Sequence, residues 1–307
     1  MSSAPPPGSE TPPRQAVEET PPAAVPQDTD DTRSLHFRRL IGHPVTLSVG
    51  ATVAIAALVA GALAAGIAIG GAAAAAAIVL TLVIVFAIAS GRAKRDFFNA
   101  YAQARGLSQV EKGGLPPGTP FLRRGDDRYA HHIMRGRLPG DFDGALALYT
   151  YEETSTDSEG DRQTTYYHFT VVLADIPESA RFVGELYAQR RVGFRFLDSA
   201  EDAFRTRERI TLESEALDQR AEIFAAPNED QNWLRQLFSP TFVHWLGDEA
   251  PEGTAFELVA GLMCVNVKGH LDNAADLDRM CEAAGVIAKR IREESHEAPV
   301  GQGPPPG

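Results

Sequence analysis

Histidines and carboxylates are the side chains of this sequence best suited to chemistry, and one stretch brings several of them together. His131 and His132 are adjacent, and Asp126 and Asp127 lie just upstream. Imidazole and carboxylate groups are common ligands of Zn²⁺. Successive side chains on a strand point to opposite faces, so two adjacent histidines are not expected to share one ion. No H-E-x-x-H or C-x-x-C motif accompanies them, and we predict no metal site.

An acidic stretch farther along could in principle hold Ca²⁺, because that ion prefers carboxylate oxygens. Its members are Glu152, Glu153, Asp157, Glu159 and Asp161. The stretch lacks the D-x-[DN]-x-[DN]-G order of a calcium loop. We interpret it as the solvated tip of a β-hairpin.

Candidate nucleophiles and bases lack the partners that catalysis would need. Cys264 and Cys281 both lie in apolar patterns, which is typical of buried thiols rather than nucleophiles. His168 and His244 could act as bases, but no G-x-S-x-G turn accompanies them. Neither of the common glycine-rich phosphate-binding motifs occurs. We predict no catalytic residue and no cofactor, and leave open whether the two cysteines form a disulfide.

The most informative segment is an apolar run of 47 residues, Val45 to Gly91, without one ionisable side chain. A spanning helix needs about 20 apolar residues, so the run predicts two transmembrane helices. The break is expected at Gly70-Gly71, where two residues of low helix propensity interrupt the pattern. We place the spans at about residues 45–69 and 72–90. A single tilted span with an interfacial first half is the alternative.

Small residues recur at helical spacing in the first predicted span. They are Ala57, Gly61 and Ala65, followed by Gly66 and Gly70 as a G-x-x-x-G motif. Such spacing lets two helix backbones approach closely. It indicates packing within the hairpin or a homodimer seam, although an Ala/Gly-rich composition also produces it by chance.

Basic residues flank the apolar run on both sides. Arg33, Arg38 and Arg39 precede it, and Arg92, Lys94 and Arg95 follow it. The positive-inside rule therefore predicts a hairpin with both termini and the soluble domain in the cytoplasm. This topology makes the protein a multi-pass protein of the cell membrane, and the lipid bilayer is its first expected partner.

Composition indicates which parts of the chain fold and excludes one class of partner. Residues 1–34 are rich in proline and acidic residues, and residues 296–307 are rich in proline and glycine, so both are predicted to be disordered tails. The net charge of −12 argues against a nucleic-acid partner, which would favour a basic face. The two cysteines and the lack of a glycosylation sequon suit a reducing compartment.

The rest of the chain predicts an α+β fold with a mostly antiparallel sheet and a long C-terminal helix. A juxtamembrane helix is expected within residues 93–112, and the soluble domain within residues 119–295. Alternating patterns predict strands at 145–151, 164–174, 192–197, 209–212, 220–224, 255–260 and 262–267. Helical patterns lie at 179–190, after Asn228, after Ser239-Pro240, and at 273–294.

Three stretches give the chain a resemblance to a group of uncharacterised bacterial membrane proteins. They are the strand Gln163 to Ala174 followed by Asp175-Ile176-Pro177, the run from Glu222-Ile223-Phe224 through Trp233, Leu237, Phe238, Ser239 and Pro240 to Trp245-Leu246, and the strands from Phe256 to Lys268. The resemblance covers most of residues 137–291. It implies an apolar hairpin followed by a cytoplasmic α+β domain, and it assigns no activity and no site residues.

These patterns favour a membrane-anchored interaction or assembly module, which would bind an unidentified protein or a second copy of itself. The alternative is a membrane-bound enzyme or small-molecule sensor, with a site near Tyr149, Tyr151, Tyr166 and Tyr167. A transporter fits least, because the predicted spans carry no charged residue to serve an ion or proton path.

Overall fold

The computed structural model of the chain describes residues 87–88, 90–156, 160–190, 207–212, 214–227 and 229–297. No helix within these ranges is long and apolar enough to cross a bilayer. The two predicted spans, 45–69 and 72–90, fall outside the described ranges except for residues 87–88 and 90.

The described residues form an α+β fold with a nine-stranded, antiparallel sheet, which confirms that part of the predicted fold class. The strand order is β1-β2-β3-β4-β9-β8-β5-β7-β6. The strands are β1 Ser108–Gly113, β2 Asp127–Leu138, β3 Phe142–Thr156, β4 Arg162–Asp175, β5 Glu185–Arg190, β6 Glu208–Ile210, β7 Ala221–Ala225, β8 Ala255–Val259 and β9 Leu262–Lys268.

Six α-helices accompany the sheet in the described ranges. They are α1 at residues 90–104, α2 Pro120–Arg123, α3 Glu215–Arg220, α4 Gln231–Leu237, α5 Pro240–His244 and α6 Ala274–Glu297. A 3₁₀ helix spans Pro177–Arg181, and a π-helical turn, Trp245–Glu249, continues α5.

Both faces of the sheet are buried, which explains why several strands carry apolar residues at successive positions. On one face, α1 and α6 pack against residues such as Leu146 and Val172. On the other face, Phe121 and Leu122 from α2 cover Tyr149, whose ring centroid lies 5.5 Å from that of Phe121. A sheet covered on both sides removes more apolar area from water than a sheet with one wet face.

Helix α1 buries Phe97, Phe98 and Tyr101 fully. It spans residues 90–104, so it starts before the predicted range, 93–112, and β1 occupies the end of that range. Gly106 adopts φ +64°, and the N–H of Leu107 donates to the carbonyl of Ala102 at 2.9 Å. This left-handed glycine cap ends a helix efficiently.

The predicted hairpin is confirmed, and it is longer than expected. β3 and β4 pair from Ala145–Leu173 out to Thr156–Arg162. The polar residues 152–156, predicted as loop, therefore extend β3. Of the other predicted strands, 220–224, 255–260 and 262–267 match β7, β8 and β9, 209–212 overlaps β6, and 192–197 lies outside the described ranges.

The predicted helix at 179–190 is wrong. The chain forms the 3₁₀ helix and then strand β5. Leu186 faces the helical layer whereas Tyr187 faces the other side, and β5 pairs with both β7 and β8. A short apolar stretch fits the periodicity of a helix as well as that of a strand. Here the hydrogen bonds that β5 makes to its two neighbouring strands stabilise the strand.

The helices of the C-terminal part form where they were predicted, but the N-cap residue of α4 differs from the predicted one. Asp230, rather than Asn228, caps α4, and its carboxylate accepts the N–H groups of Asn232 and Trp233 at 2.9 and 3.0 Å. Asn228 lies outside the described ranges. Helix α6 buries its predicted stripe, and the Asn273 side chain accepts the N–H of Asp276 at 2.8 Å, as an N-cap residue does.

Two glycines join the β2–β3 turn to α6. A Cβ added at Gly285 would lie 2.8 Å from the carbonyl oxygen of Gly140 and 2.9 Å from its Cα. Both partners are backbone, so neither can yield without moving the turn or the helix. Gly91 in α1 is a helical glycine without such a contact, because nothing lies within 4 Å of a Cβ added there.

We expect Gly285→Ala to destabilise the protein by about 1–3 kcal/mol, because it forces overpacking against backbone. Gly91→Ala should instead be neutral or stabilising by up to about 1 kcal/mol through helix propensity. Thermal unfolding of both full-length variants in the same detergent micelle measures the difference. Equal effects of the two substitutions would contradict the close Gly140–Gly285 packing.

Candidate functional site

Four histidines converge on the face of the sheet that α1 covers, near the middle of β2 and β4, and we call them the histidine cluster. They are His131, His132, His168 and His270. Strands β2 and β4 and the loop before α6 position them. Sequence analysis considered His131 and His132 as an adjacent pair and His168 alone, did not consider His270, and gave no reason to place the four together.

Thr150 joins two members of the cluster. Its hydroxyl lies 3.0 Å from Nδ1 of His168 and 3.3 Å from Nε2 of His270. Nε2 of His270 also lies 3.2 Å from the carbonyl oxygen of Tyr149. A carbonyl only accepts, so His270 donates from Nε2, and the Thr150 hydroxyl is then free to donate to His168. The ring centroids of the two histidines are 4.7 Å apart.

A β-bulge brings the adjacent pair onto the same side, so the expectation that His131 and His132 point to opposite faces is wrong. His132 adopts φ +49°, and the β2–β3 register shifts between His131 and Met134. The two ring centroids are 6.4 Å apart, and His132 stacks on Phe98 at 4.3 Å. Histidine tolerates a left-handed backbone better than β-branched residues do, but nothing in the sequence marks the bulge.

Burial keeps two of these imidazoles neutral. It lowers the pKa of His132 to about 4, with His131 adding to the effect. Burial also lowers the pKa of His270 to about 4, and the neighbouring His168 and Lys94 act in the same direction. At neutral pH both rings therefore act as hydrogen-bonding groups without charge. The arrangement is a hydrogen-bond chain from His270 through Thr150 to His168. Within the described ranges no group of three or more His, Cys, Asp or Glu side chains is placed to hold a metal ion.

The opposite face of the sheet carries a buried acid, Glu257, at the centre of β8. It lies in a row across the sheet between Tyr187 of β5 and Cys264 of β9. Its carboxylate accepts the N–H of Phe121 at 3.1 Å. Burial raises the pKa of this carboxyl to about 7, and the Phe121 N–H opposes the shift. Sequence analysis missed Glu257, because an acid at alternate positions of a strand normally indicates a solvent-facing side.

Both cysteines are buried, as predicted from their apolar surroundings, and both are free, which the sequence left open. Burial raises the pKa of the Cys281 thiol to about 12, and it raises that of Cys264 as well. Neither thiol is therefore poised to form a thiolate at neutral pH.

The structure separates the four tyrosines of the alternative site. Tyr149 and Tyr151 are buried, and the Tyr151 ring stacks on that of Tyr167 at 4.9 Å. Phe121 lies against the buried pair, so these rings form a packed aromatic layer. Tyr166 lies on the other face of the sheet and is 53% exposed.

The remaining candidates serve local contacts or lie outside the described ranges. Asp126 accepts the N–H of Thr154 at 2.7 Å, and Glu153 pairs with Arg124 at 2.9 Å. His244 lies 2.8 Å from Asp248 on the surface. The following lie in the part of the chain that is not described: Asp157, Glu159, and the predicted helix-packing residues Ala57, Gly61, Ala65, Gly66 and Gly70.

We expect Glu257→Gln to remove a pH dependence of stability. The carboxyl has its pKa raised from 4.5 to about 7 in the folded state, so its stabilising effect is complete below pH 4.5 and is lost as the pH rises through 7. The neutral variant should match the wild type near pH 5 and exceed it above pH 7, by an amount on the order of 1–3 kcal/mol. Thermal unfolding between pH 5 and 8 measures this, with the exposed Glu252→Gln as control. Parallel pH profiles for wild type and Glu257→Gln would refute the buried acid.

Comparisons with known proteins identify a distant structural similarity and no family. No family model matches the sequence, and no curated protein matches it. Among solved structures, the chain is similar to the mycobacterial trehalose monomycolate transport factor A, TtfA, with a TM-score of 0.41 and 10% sequence identity, over 68% of this chain and 96% of that one. A likeness this distant carries no argument about function.

Proposed function

We propose that this protein is a membrane-anchored interaction or assembly module whose α+β domain is fixed to its anchor by helix α1. The predicted anchor is the apolar run, Val45 to Gly91. The predicted topology places the domain and both termini in the cytoplasm. The resemblance to bacterial membrane proteins with an apolar hairpin before such a domain supports the same reading.

One observation carries the proposal: α1 begins at the end of the apolar run and belongs to the core of the domain. Ile88 is 46% exposed, whereas Ala93 and Phe97 are fully buried. The change from exposed to buried thus occurs within a few residues of Gly91. Residues 90–104 are continuous helix, so no loop separates the end of the apolar run from the folded domain.

The packing of α1 against the domain is strong enough to make the connection between the domain and the predicted anchor rigid. Phe97, Phe98 and Tyr101 are fully buried, and burying a large apolar side chain is worth about 1.5–3 kcal/mol. The Tyr101 hydroxyl donates to Asp278 of α6 at 2.8 Å, and Arg105 pairs with the same carboxylate. Detaching α1 would expose the aromatic side chains and break both polar contacts, so domain and anchor should move as one body.

The partner of such a module is a protein or a second copy of the chain. The helical spacing of the small residues Ala57, Gly61, Ala65, Gly66 and Gly70 supports self-association, because small residues at this spacing let helices approach. The net charge of −12 disfavours nucleic acid. A small-molecule sensor is the second candidate, and the observation that favours it is the exposed His168 bridged through Thr150 to His270.

We expect the full-length protein to sediment with membranes and to resist extraction by alkaline carbonate, because two apolar helices should be embedded in the bilayer. Carbonate extraction followed by immunoblotting measures this. Recovery of folded protein from the supernatant without detergent would overturn the proposal.

Self-association is expected to depend on the small-residue seam. Leucine at Gly66 and Gly70 (Gly66→Leu with Gly70→Leu) should reduce crosslinked dimer several-fold in native membranes, because bulky side chains separate the helices. The control is Ala56→Leu with Ala60→Leu, which lie about 80° and 120° from Gly66 around the same helix, away from the face formed by the small residues. Equal crosslinking of both double variants would argue against this seam.

A further inference from the structure

Residues 114–126 cross the sheet face that lies opposite α1 and α6, and we call this segment the strap. It joins β1 to β2 and contains the four-residue helix α2. Its buried residues are Thr119, Phe121 and Leu122, whereas its other residues are exposed or half-buried. Phe121 and Leu122 pack on the aromatic layer beneath. The strap is therefore a thin cover that a few residues hold in place.

Glu257 supplies a helix-capping contact to α2 from a distant part of the chain. Thr119 occupies the N-cap position, but its side chain makes no cap bond. The N–H of Phe121, in the first turn, donates instead to the Glu257 carboxyl at 3.1 Å. The first N–H groups of a helix have no partner within the helix, so this bond satisfies a buried donor. The Tyr149 hydroxyl holds the next residue, Leu122, by donating to its carbonyl at 3.2 Å.

Burial makes the contact between Glu257 and the strap sensitive to ionisation. Glu257 is 4% exposed, and burial raises the pKa of its carboxyl from 4.5 to about 7. The Thr119 hydroxyl and the Phe121 N–H oppose this shift, as do the charges of Arg207 and Arg123. Opening of the strap would hydrate the carboxyl and return its pKa to the ordinary value, so ionisation favours the open strap.

The other titratable side chains that face Glu257 do not offset its charge. They are Tyr187 of β5, Cys264 of β9 and Tyr149 of β3. Burial raises the pKa of each of these groups, so all three are neutral at neutral pH. Arg207 pairs with Glu185 at 2.5 Å, so its positive charge is already balanced by another carboxylate.

We infer that the strap is a pH-sensitive cover, which closes over the aromatic layer while Glu257 is protonated and opens locally when Glu257 is ionised. The paired residues of β2 and β3 begin at Asp127, so the strap can open without breaking the sheet. Opening exposes Phe121, Leu122 and the apolar face beneath them. The strap lies within the described domain, and the device therefore does not depend on the proposed membrane anchor.

The two buried cysteines report on strap opening because they lie on opposite faces of the sheet. Cys264 belongs to the layer that Phe121 and Leu122 cover, whereas Cys281 lies on α6. Both thiols of the folded full-length protein, in a detergent micelle, are labelled with a maleimide, and the rates are measured by peptide mass spectrometry. Local opening should label Cys264 at least about tenfold faster than Cys281 at pH 8, with little effect of dilute urea.

Glu257→Gln tests the role of the carboxyl. The amide keeps an oxygen that can accept the Phe121 N–H, but it does not ionise. The carboxyl has a pKa of about 7 under the closed strap and 4.5 when hydrated, so the ratio of Cys264 labelling in wild type to that in the variant should rise about tenfold from pH 6 to pH 8. Comparison at equal pH cancels the reactivity of the thiol itself. The ratio for the exposed control, Glu252→Gln, should stay near one.

Equal labelling of the two cysteines in the wild type, or labelling of Cys264 that urea accelerates as strongly as global unfolding, would overturn local opening of the strap. Both measurements use the wild type alone and so hold whether or not the variant folds. A ratio of wild type to Glu257→Gln that does not change with pH would overturn the role of Glu257. These results are separate from membrane association, which carbonate extraction tests.

Discussion

The packing of α1 into the α+β core is the interaction on which the rest of this account depends. A helix that begins at the end of an uncharged apolar run buries Phe97, Phe98 and Tyr101 within the next few turns. Tyr101 and Arg105 then bind Asp278 at the start of α6. Because α1 contains both the last residues of that run, Ser90 and Gly91, and residues of the core, the proposed anchor and the domain would be joined by packing and not by a linker.

Sequence patterns correctly predicted the elements whose apolar periodicity fits only one type of secondary structure. The long stripe of α6 and the alternation of β4 were predicted correctly, because a 24-residue helix and a 14-residue strand display many repeats. The short apolar stretch at 179–190 was misassigned, since Leu186 and Tyr187 fit a helical stripe as well as a strand. Neighbouring strands on both sides of β5 decided that case, and such pairing is not encoded locally.

The two unusual chemical environments were beyond sequence reasoning for different reasons. The histidine cluster depends on a bulge at His132 and on a loop that returns His270 to the sheet, and both are long-range consequences of register. Glu257 was overlooked because alternation implies a wet face, whereas α2 covers that face and the Phe121 N–H binds the carboxylate. The burial of both cysteines followed from apolar context alone and was predicted.

Hydrogen exchange of the full-length protein in vesicles tests the central claim most directly. If α1 is part of the core, the amides of residues 93–104 should exchange as slowly as those of the paired centre of β3 and β4, because both open only when the domain unfolds. Fast exchange of this segment beside a protected sheet would show that α1 is a flexible tether, and the account of a rigidly held domain would then be wrong.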